Sequence, residues 1–319
     1  MPRTVRAPTH GERGPFVRVE ITTLQEKSTR PCDVVPFIQT NVLKHEGFLS
    51  IRNAMKTLAR KVYRKVRALR PSRVNKLDLQ DSYPRLTRSL KWATDIDRAM
   101  ADAVGGEFEA IGILELETLK YFGLKEDSYV IDVGCGSGRL AKPLSRYLAG
   151  RYLGIDIIPE LVEYARRIVT RADWRFEVGH GLSIPEKDGV ADVVCFFSVF
   201  THLLHEQSYV YLQEAKRVLK PEGKIVFSFL DFTVPGHWEV FEGNIGDLGV
   251  NSKPLNVFIS KDAVTIWAEH LGLQVQVIKD GGDSFIPLSK PVVFESGLVI
   301  ENAGAFGQSV CVLQKGPDA

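Results

Sequence analysis

From about residue 107 onward, short apolar runs alternate with helical periods, and this alternation restricts the fold more than any other feature of the chain. The candidate strands cover residues 129–133, 152–155, 175–178, 193–197, 224–229, 274–278 and 309–313. Helical periods fall at 107–121, 140–148, 160–170, 207–219 and 261–271, and a poorly defined crossover spans 182–190. In the first of these helices Phe108, Ile111, Leu114 and Leu119 make the inward stripe. Strands that are apolar on both faces need helices on both sides, so the order predicts an α/β fold: a doubly wound, seven-stranded, mostly parallel sheet. Ligands of such sheets bind beyond the carboxyl ends of the strands, beside the first one. A composition of 44% hydrophobic and 25% charged residues in 319 excludes collagen-like, coiled-coil and wholly disordered chains.

The first strand runs straight into a glycine loop, Val130-Ile131-Asp132-Val133-Gly134-Cys135-Gly136-Ser137-Gly138. Glycines here let the backbone turn sharply and approach a ligand where a Cβ would clash. Dinucleotide sites use a similar loop, but the GxGxxG pattern would put its third glycine at Arg139, and the glycine is at 138. Asp132 lies inside the strand, two residues before the loop, where it suits a cationic amine better than a pyrophosphate. The second strand leads into Gly154-Ile155-Asp156, with Asp156 placed to accept hydrogen bonds from a ribose diol.

Five ordered segments, VIDVGCGSG, YLGIDIIPELVEYAR, FEVGHGLSIP, ADVVCFFSVFTHL and EAKRVLKPEGKIVFSF, give residues of about 107–231 a strong resemblance to the core of a class I S-adenosylmethionine-dependent methyltransferase of the small-molecule type. The resemblance implies a Rossmann-like fold and S-adenosyl-L-methionine as cofactor. It implies that Gly134, Gly136 and Gly138, with Cys135 and Ser137 between them, shape the loop around the methionine part, while Asp132 orders its amino end. Asp156 would hold the ribose hydroxyls and Ile157 would pack on the adenine. Gly181 and Leu182 would line the adenine edge, and Phe197 and Ser198 would border the methionine moiety. The chain departs from the family at His180, where an acid is usual.

Methyl transfer to a hydroxyl needs alignment and a group that takes the proton. His202, after the fourth strand, and Asp231, beyond the fifth, are the candidate catalytic bases; His205 and His237 rank below them. A histidine's ordinary pKa of about 6.5 suits the task at neutral pH. No HExxH or clustered His/Asp/Cys spacing points to a metal. The N-terminal 106 residues and the insertions near 232–260 and 280–307 stand where this fold builds its acceptor pocket, which makes Arg88, Trp92, His237 and Trp238 candidate substrate-binding residues.

The N-terminal part carries most of the positive charge. Residues 1–91 have a net charge of +13 and residues 92–319 a net charge of −11. Residues 1–43 read as a loose basic segment and 44–106 as a basic helical extension or cap, leaving 107–319 as the methyltransferase domain. Within the extension, Ile51, Met55, Leu58, Val62, Val66 and Leu69 form one helical stripe across residues 50–70, surrounded by basic side chains. Such a helix either lies on an anionic membrane surface or packs on the body with a solvated basic face. The expected acceptor is a small molecule, glycan or glycolipid near a membrane surface. An RNA methyltransferase and a non-catalytic, membrane-docked scaffold are the alternatives, and nucleic acid is the less favoured partner because the segment after the fourth strand reads FFSVF rather than NPPY. Scattered cysteines (Cys32, Cys135, Cys195, Cys311), the lack of an apolar run at the start and the lack of a membrane-length run predict a cytoplasmic protein, peripheral on the inner membrane face if the helix binds lipid. The oligomeric state is open.

Overall fold

The computed structural model describes residues 95–246 and 256–316. The basic helix of residues 50–70, the loose segment 1–43, the cap as far as residue 94, and Cys32, Arg88 and Trp92 lie outside the described residues.

Asp95 opens α1 (Ile96–Ala103), its carboxylate accepting a hydrogen bond from the Arg98 N–H. The next helix, α2 (Phe108–Tyr121), precedes β1 (Val130–Val133), a strand buried along its whole length. The chain then alternates through α3 (Ala141–Leu144), β2 (Tyr152–Asp156), α4 (Pro159–Ile168), β3 (Arg175–Val178), β4 (Ala191–Phe196), α5 (His205–Val218) and β5 (Leu219–Phe229). Pro159 occupies the first turn of α4, where its missing N–H costs nothing. Beyond β5 come α6 (Pro235–Gly246), α7 (Lys261–His270), capped by the Ser260 hydroxyl, and β6 (Leu273–Lys279). Four two-residue strands follow, β7 (Ile286–Pro287), β8 (Val292–Val293), β9 (Val299–Ile300) and β10 (Ala303–Gly304), before β11 (Ser309–Lys315).

Seven strands form one sheet in the order β3-β2-β1-β4-β5-β11-β6. Pairing is parallel from β3 to β5, and β11 runs antiparallel to both β5 and β6. One face packs on α5 and α7 through Leu212, Ala215, Val264 and Ala268. The other packs on α2, α3 and α4 through Leu114, Leu119, Leu144, Val162 and Ala165. This is the doubly wound, Rossmann-like sheet that the alternation predicts.

The differences from the sequence expectation are local. The 182–190 crossover contains no helix, and Gly181, Pro185 and Gly189 account for that. Instead the connection is tied to α5: the Ile184 N–H donates to Glu214 Oε2 and Arg217 Nη2 donates to the Ile184 carbonyl. The helix expected at 140–148 is regular only over Ala141–Leu144. The insertion near 232–260 carries α6, and the 280–307 loop carries the two small antiparallel pairs β7–β10 and β8–β9.

Candidate functional site

At the carboxyl ends of β1, β2 and β4 lies a cavity of about 630 Å³. Its wall includes Asp132, Gly134, Cys135, Gly136, Asp156, Ile157, Gly181, Leu182, Phe197, Ser198 and His202, which sequence reasoning selected. Ser137, Gly138, Asp231, His237 and Trp238 are not in the wall.

The glycine loop is held from both sides. The N–H groups of Gly134 and Cys135 donate to the Ile155 carbonyl at 2.7 and 3.0 Å, fastening the loop to the end of β2. Gly134 and Gly136 have φ of +79° and +53°, and a Cβ on either would run into Val199 or Val104. Asp156 closes the turn: its Oδ2 accepts from the Gly136 N–H and its Oδ1 from the Ile158 N–H, each at 2.9 Å. Burial pushes its pKa up to about 6 against the pull of these backbone donors. Gly138 serves packing, since a Cβ there would meet Ala165 of α4. Ser137 is fully buried and donates to the Met100 carbonyl, pinning α1 to the loop.

Asp132 is 2% exposed and accepts a 2.7 Å hydrogen bond from the Tyr152 hydroxyl at Oδ2, while the Cys195 thiol faces Oδ1. Burial, with the Glu115 charge nearby, raises its pKa to about 7; the Tyr152 and Cys195 hydrogen bonds and Arg139 oppose the shift. Burial also drives the Cys135 thiol well above its ordinary range, so this cysteine lines the cavity as a neutral group.

Sequence reasoning missed a buried ion pair in the same wall. Arg139 donates through Nε and Nη2 to Glu115 Oε1 at 3.0 and 2.6 Å, and through Nη1 to the Val104 carbonyl. The available signals were an arginine directly after the last loop glycine and a lone acid within the buried face of α2. Val104, Val199, Tyr211, Phe306 and Gln308 are further wall residues that no local pattern marks.

The remaining candidates sit elsewhere. Asp231 is 1% exposed, and its carboxylate accepts from the Thr233 N–H and Oγ1 at Oδ1 and from the Lys261 N–H at Oδ2. Burial alone would raise its pKa, but these donors and the Lys261 charge hold it below the usual value. Asp231 therefore stands as the acceptor that joins β5 to α7, ionised and committed, away from the cavity. His237 is buried; its Nδ1 accepts from the Asp231 N–H and its Nε2 faces the Gly307 carbonyl, so both ring nitrogens serve the backbone. Trp238 is exposed and bonded to Glu242. His205 faces the Phe258 carbonyl, and His180 is exposed. Among the described residues, no group of His, Cys, Asp and Glu side chains could hold a metal ion.

The charge of the wall selects its ligand. Of the four wall carboxylates, Glu115 is paired with Arg139 and Asp102 with Arg98, which leaves Asp132 and Asp156 facing the cavity without a basic partner among the described residues. A ligand with cationic groups and a diol fits that set, and a bare phosphate does not. A doubly wound sheet with this loop and this acidic cavity is the arrangement that the resemblance to class I S-adenosylmethionine-dependent methyltransferases implies. Comparison with known proteins agrees: residues 131–227 match the family described as a methyltransferase domain.

A ubiquinone biosynthesis O-methyltransferase of Xanthomonas oryzae pv. oryzae is 32% identical over 108 residues, 33% of this chain and 44% of that protein. A norajmaline N-methyltransferase of Rauvolfia serpentina is 25% identical over 139 residues, 41% of this chain and 47% of that protein. The chain thus spans about half the length of the curated relatives it matches. A solved Thermotoga maritima methyltransferase, described as a possible histamine N-methyltransferase, superposes with a TM-score of 0.49 at 17% identity, over 74% of this chain and 99% of that one.

Removing the Asp156 carboxylate tests its assignment to the ribose. Asp156→Ala is expected to weaken S-adenosylmethionine binding by about 1–3 kcal/mol in calorimetry, since two N–H donors and the diol lose their acceptor. An unchanged affinity would refute the ribose role.

Proposed function

We propose that the protein transfers a methyl group from S-adenosylmethionine to a hydroxyl of a small-molecule acceptor. The observation that carries this reading is the acidic cavity, with Asp132 and Asp156 as separate carboxylates on neighbouring strands beside the closed glycine loop. Asp132 would take the ammonium group of the cofactor, Asp156 the ribose hydroxyls, and Ile157 with Leu182 the adenine faces. When bound, the cofactor supplies a methyl carbon made electrophilic by a cationic sulfur. The apolar side chains Phe197, Val199, Leu203 and Phe306 exclude water from the acceptor side. His202, also in the wall, is the proposed base for the hydroxyl proton.

A tritiated methyl donor offered with a panel of acceptors tests the reading, and calorimetry with the donor alone tests the cofactor site. His202→Ala is expected to lower turnover about 100-fold while leaving cofactor affinity within about twofold. Full activity in that variant would remove His202 as the base.

Glycans and glycolipids belong to the proposed acceptor class, with residues 50–70 bringing the protein to an anionic membrane surface. Among the described residues no helix is long and apolar enough to cross a membrane. Sedimentation with vesicles containing anionic lipid is expected to retain the full chain at low salt and release it at high salt. Equal retention on neutral vesicles would reject the electrostatic contact.

A further inference from the structure

Ser198, directly after β4, is a non-glycine residue at φ +57°, in the left-handed region that L-residues enter only when their surroundings hold them there. Its surroundings do so through a closed ring of three hydrogen bonds. The Ser198 N–H donates to Ser228 Oγ at 2.7 Å, the Ser228 hydroxyl donates to Gln308 Oε1 at 2.7 Å, and Gln308 Nε2 donates to Ser198 Oγ at 3.1 Å. Thr201 Oγ1 adds a fourth contact, donating to the Ser198 carbonyl at 2.9 Å.

A backbone N–H can only donate, so Ser228 Oγ accepts there, and the Ser228 proton goes to Gln308 Oε1. The Gln308 amide has its oxygen toward Ser228 and its nitrogen toward Ser198. Ser198 Oγ is therefore an acceptor within the ring, and its own proton is left for the cavity, whose wall Ser198 and Gln308 form together with His202.

We infer that Ser198 is a hydrogen-bond donor to the methyl acceptor, oriented by Ser228 and Gln308 as positioning residues, and that this donor sets the site for an oxygen nucleophile. A hydroxyl oxygen has two lone pairs. One can accept from Ser198 while the other forms the bond to the methyl carbon; the carbon–sulfur bond breaks with its electron pair left on sulfur, and the hydroxyl proton passes to His202. A neutral amine nitrogen has one lone pair, so accepting from Ser198 blocks its attack. The aromatic pair Phe197–Phe306, with ring centroids 5.2 Å apart, adds an apolar flank suited to a planar acceptor. The inference rests on the methyltransferase reading and deepens it by naming the residue that orients the acceptor hydroxyl.

The test offers the full chain paired aromatic alcohols and amines of one skeleton, phenol with aniline and catechol with 1,2-diaminobenzene, in the presence of S-adenosylmethionine. Products are read by mass spectrometry, and cofactor affinity is measured on the same samples by calorimetry. The wild type is expected to methylate oxygen in preference to nitrogen. Ser198→Gly relieves the positive φ, so its melting temperature should stay within about 2 °C of the wild type or rise. At saturating S-adenosylmethionine, O-transfer should fall about 10-fold to 100-fold while N-transfer does not.

Gln308→Glu retains the Ser228 contact but turns the donor at Ser198 into an acceptor, drawing the Ser198 proton away from the cavity. It should lower O-transfer to a similar extent, and the double variant should be no worse than Ser198→Gly alone. Preference for the amines, turnover of neither panel, or undiminished O-transfer in Ser198→Gly each overturn the inference. Failure to bind S-adenosylmethionine at all would instead overturn the methyltransferase reading beneath it.

Discussion

Replacing Asp132 by asparagine is expected to make the free protein more stable at pH 8 and to weaken its hold on S-adenosylmethionine about 100-fold. The carboxylate is 2% exposed, and its pKa of about 7 lies well above the unfolded value of about 3.9. The folded state therefore keeps a proton between pH 4 and 7 that the unfolded chain has released. Stability from this group is fully present below about pH 4 and is lost as pH rises through 7, above which the folded protein carries a buried charge. Asparagine removes that charge while retaining an oxygen for the Tyr152 hydroxyl. The gain should be roughly 2–4 kcal/mol at pH 8 and should vanish near pH 4.

Binding runs the other way, because a cationic ligand needs the ionised carboxylate. Wild-type affinity should fall up to about tenfold per pH unit below 7, and the asparagine variant should be flatter over that range. Thermal melts and calorimetry between pH 4 and 8 measure both. A variant less stable than wild type at pH 8, or one that binds the cofactor normally, would sink the assignment.

Gly112→Ala is expected to destabilise the protein by about 2–3 kcal/mol, although alanine in a helix interior ordinarily gains about 1 kcal/mol over glycine. Gly112 lies in α2, where a Cβ would come within 2.4 Å of the Arg139 carbonyl. That neighbour is backbone, at the exit of the glycine loop, so relief requires moving the loop or the helix. The displacement would also pull on the Glu115–Arg139 pair, which joins the same two segments. Chemical denaturation with and without S-adenosylmethionine reads both effects. A variant at least as stable as wild type would show that the helix shifts without resistance.

Much of this was legible because it is local. The alternation of strand and helix, the glycine loop and the two acids within β1 and β2 are patterns of adjacent residues, and the sheet and the cavity wall contain them. The failures share one cause: side-chain partners from distant segments. Asp231 and His237 look like cleft residues in the sequence, yet contacts to Thr233, Lys261 and Gly307 occupy them. Ser198 reads as one more polar residue after a strand until Ser228 and Gln308 are placed beside it. Nothing near Gln308 announces that role, because it depends on a strand pairing made across the sheet.

That pairing bears on the order in which the molecule can be assembled. β11 lies between β5 and β6, so both must leave a strand-wide gap until the later segment arrives. A nascent chain that has already emerged through β6 still has an open edge on β5 and lacks Phe306 and Gln308 at the cavity. The cavity is therefore not closed until β11 has left the ribosome tunnel, and until then the β5 edge is open to pairing with another copy.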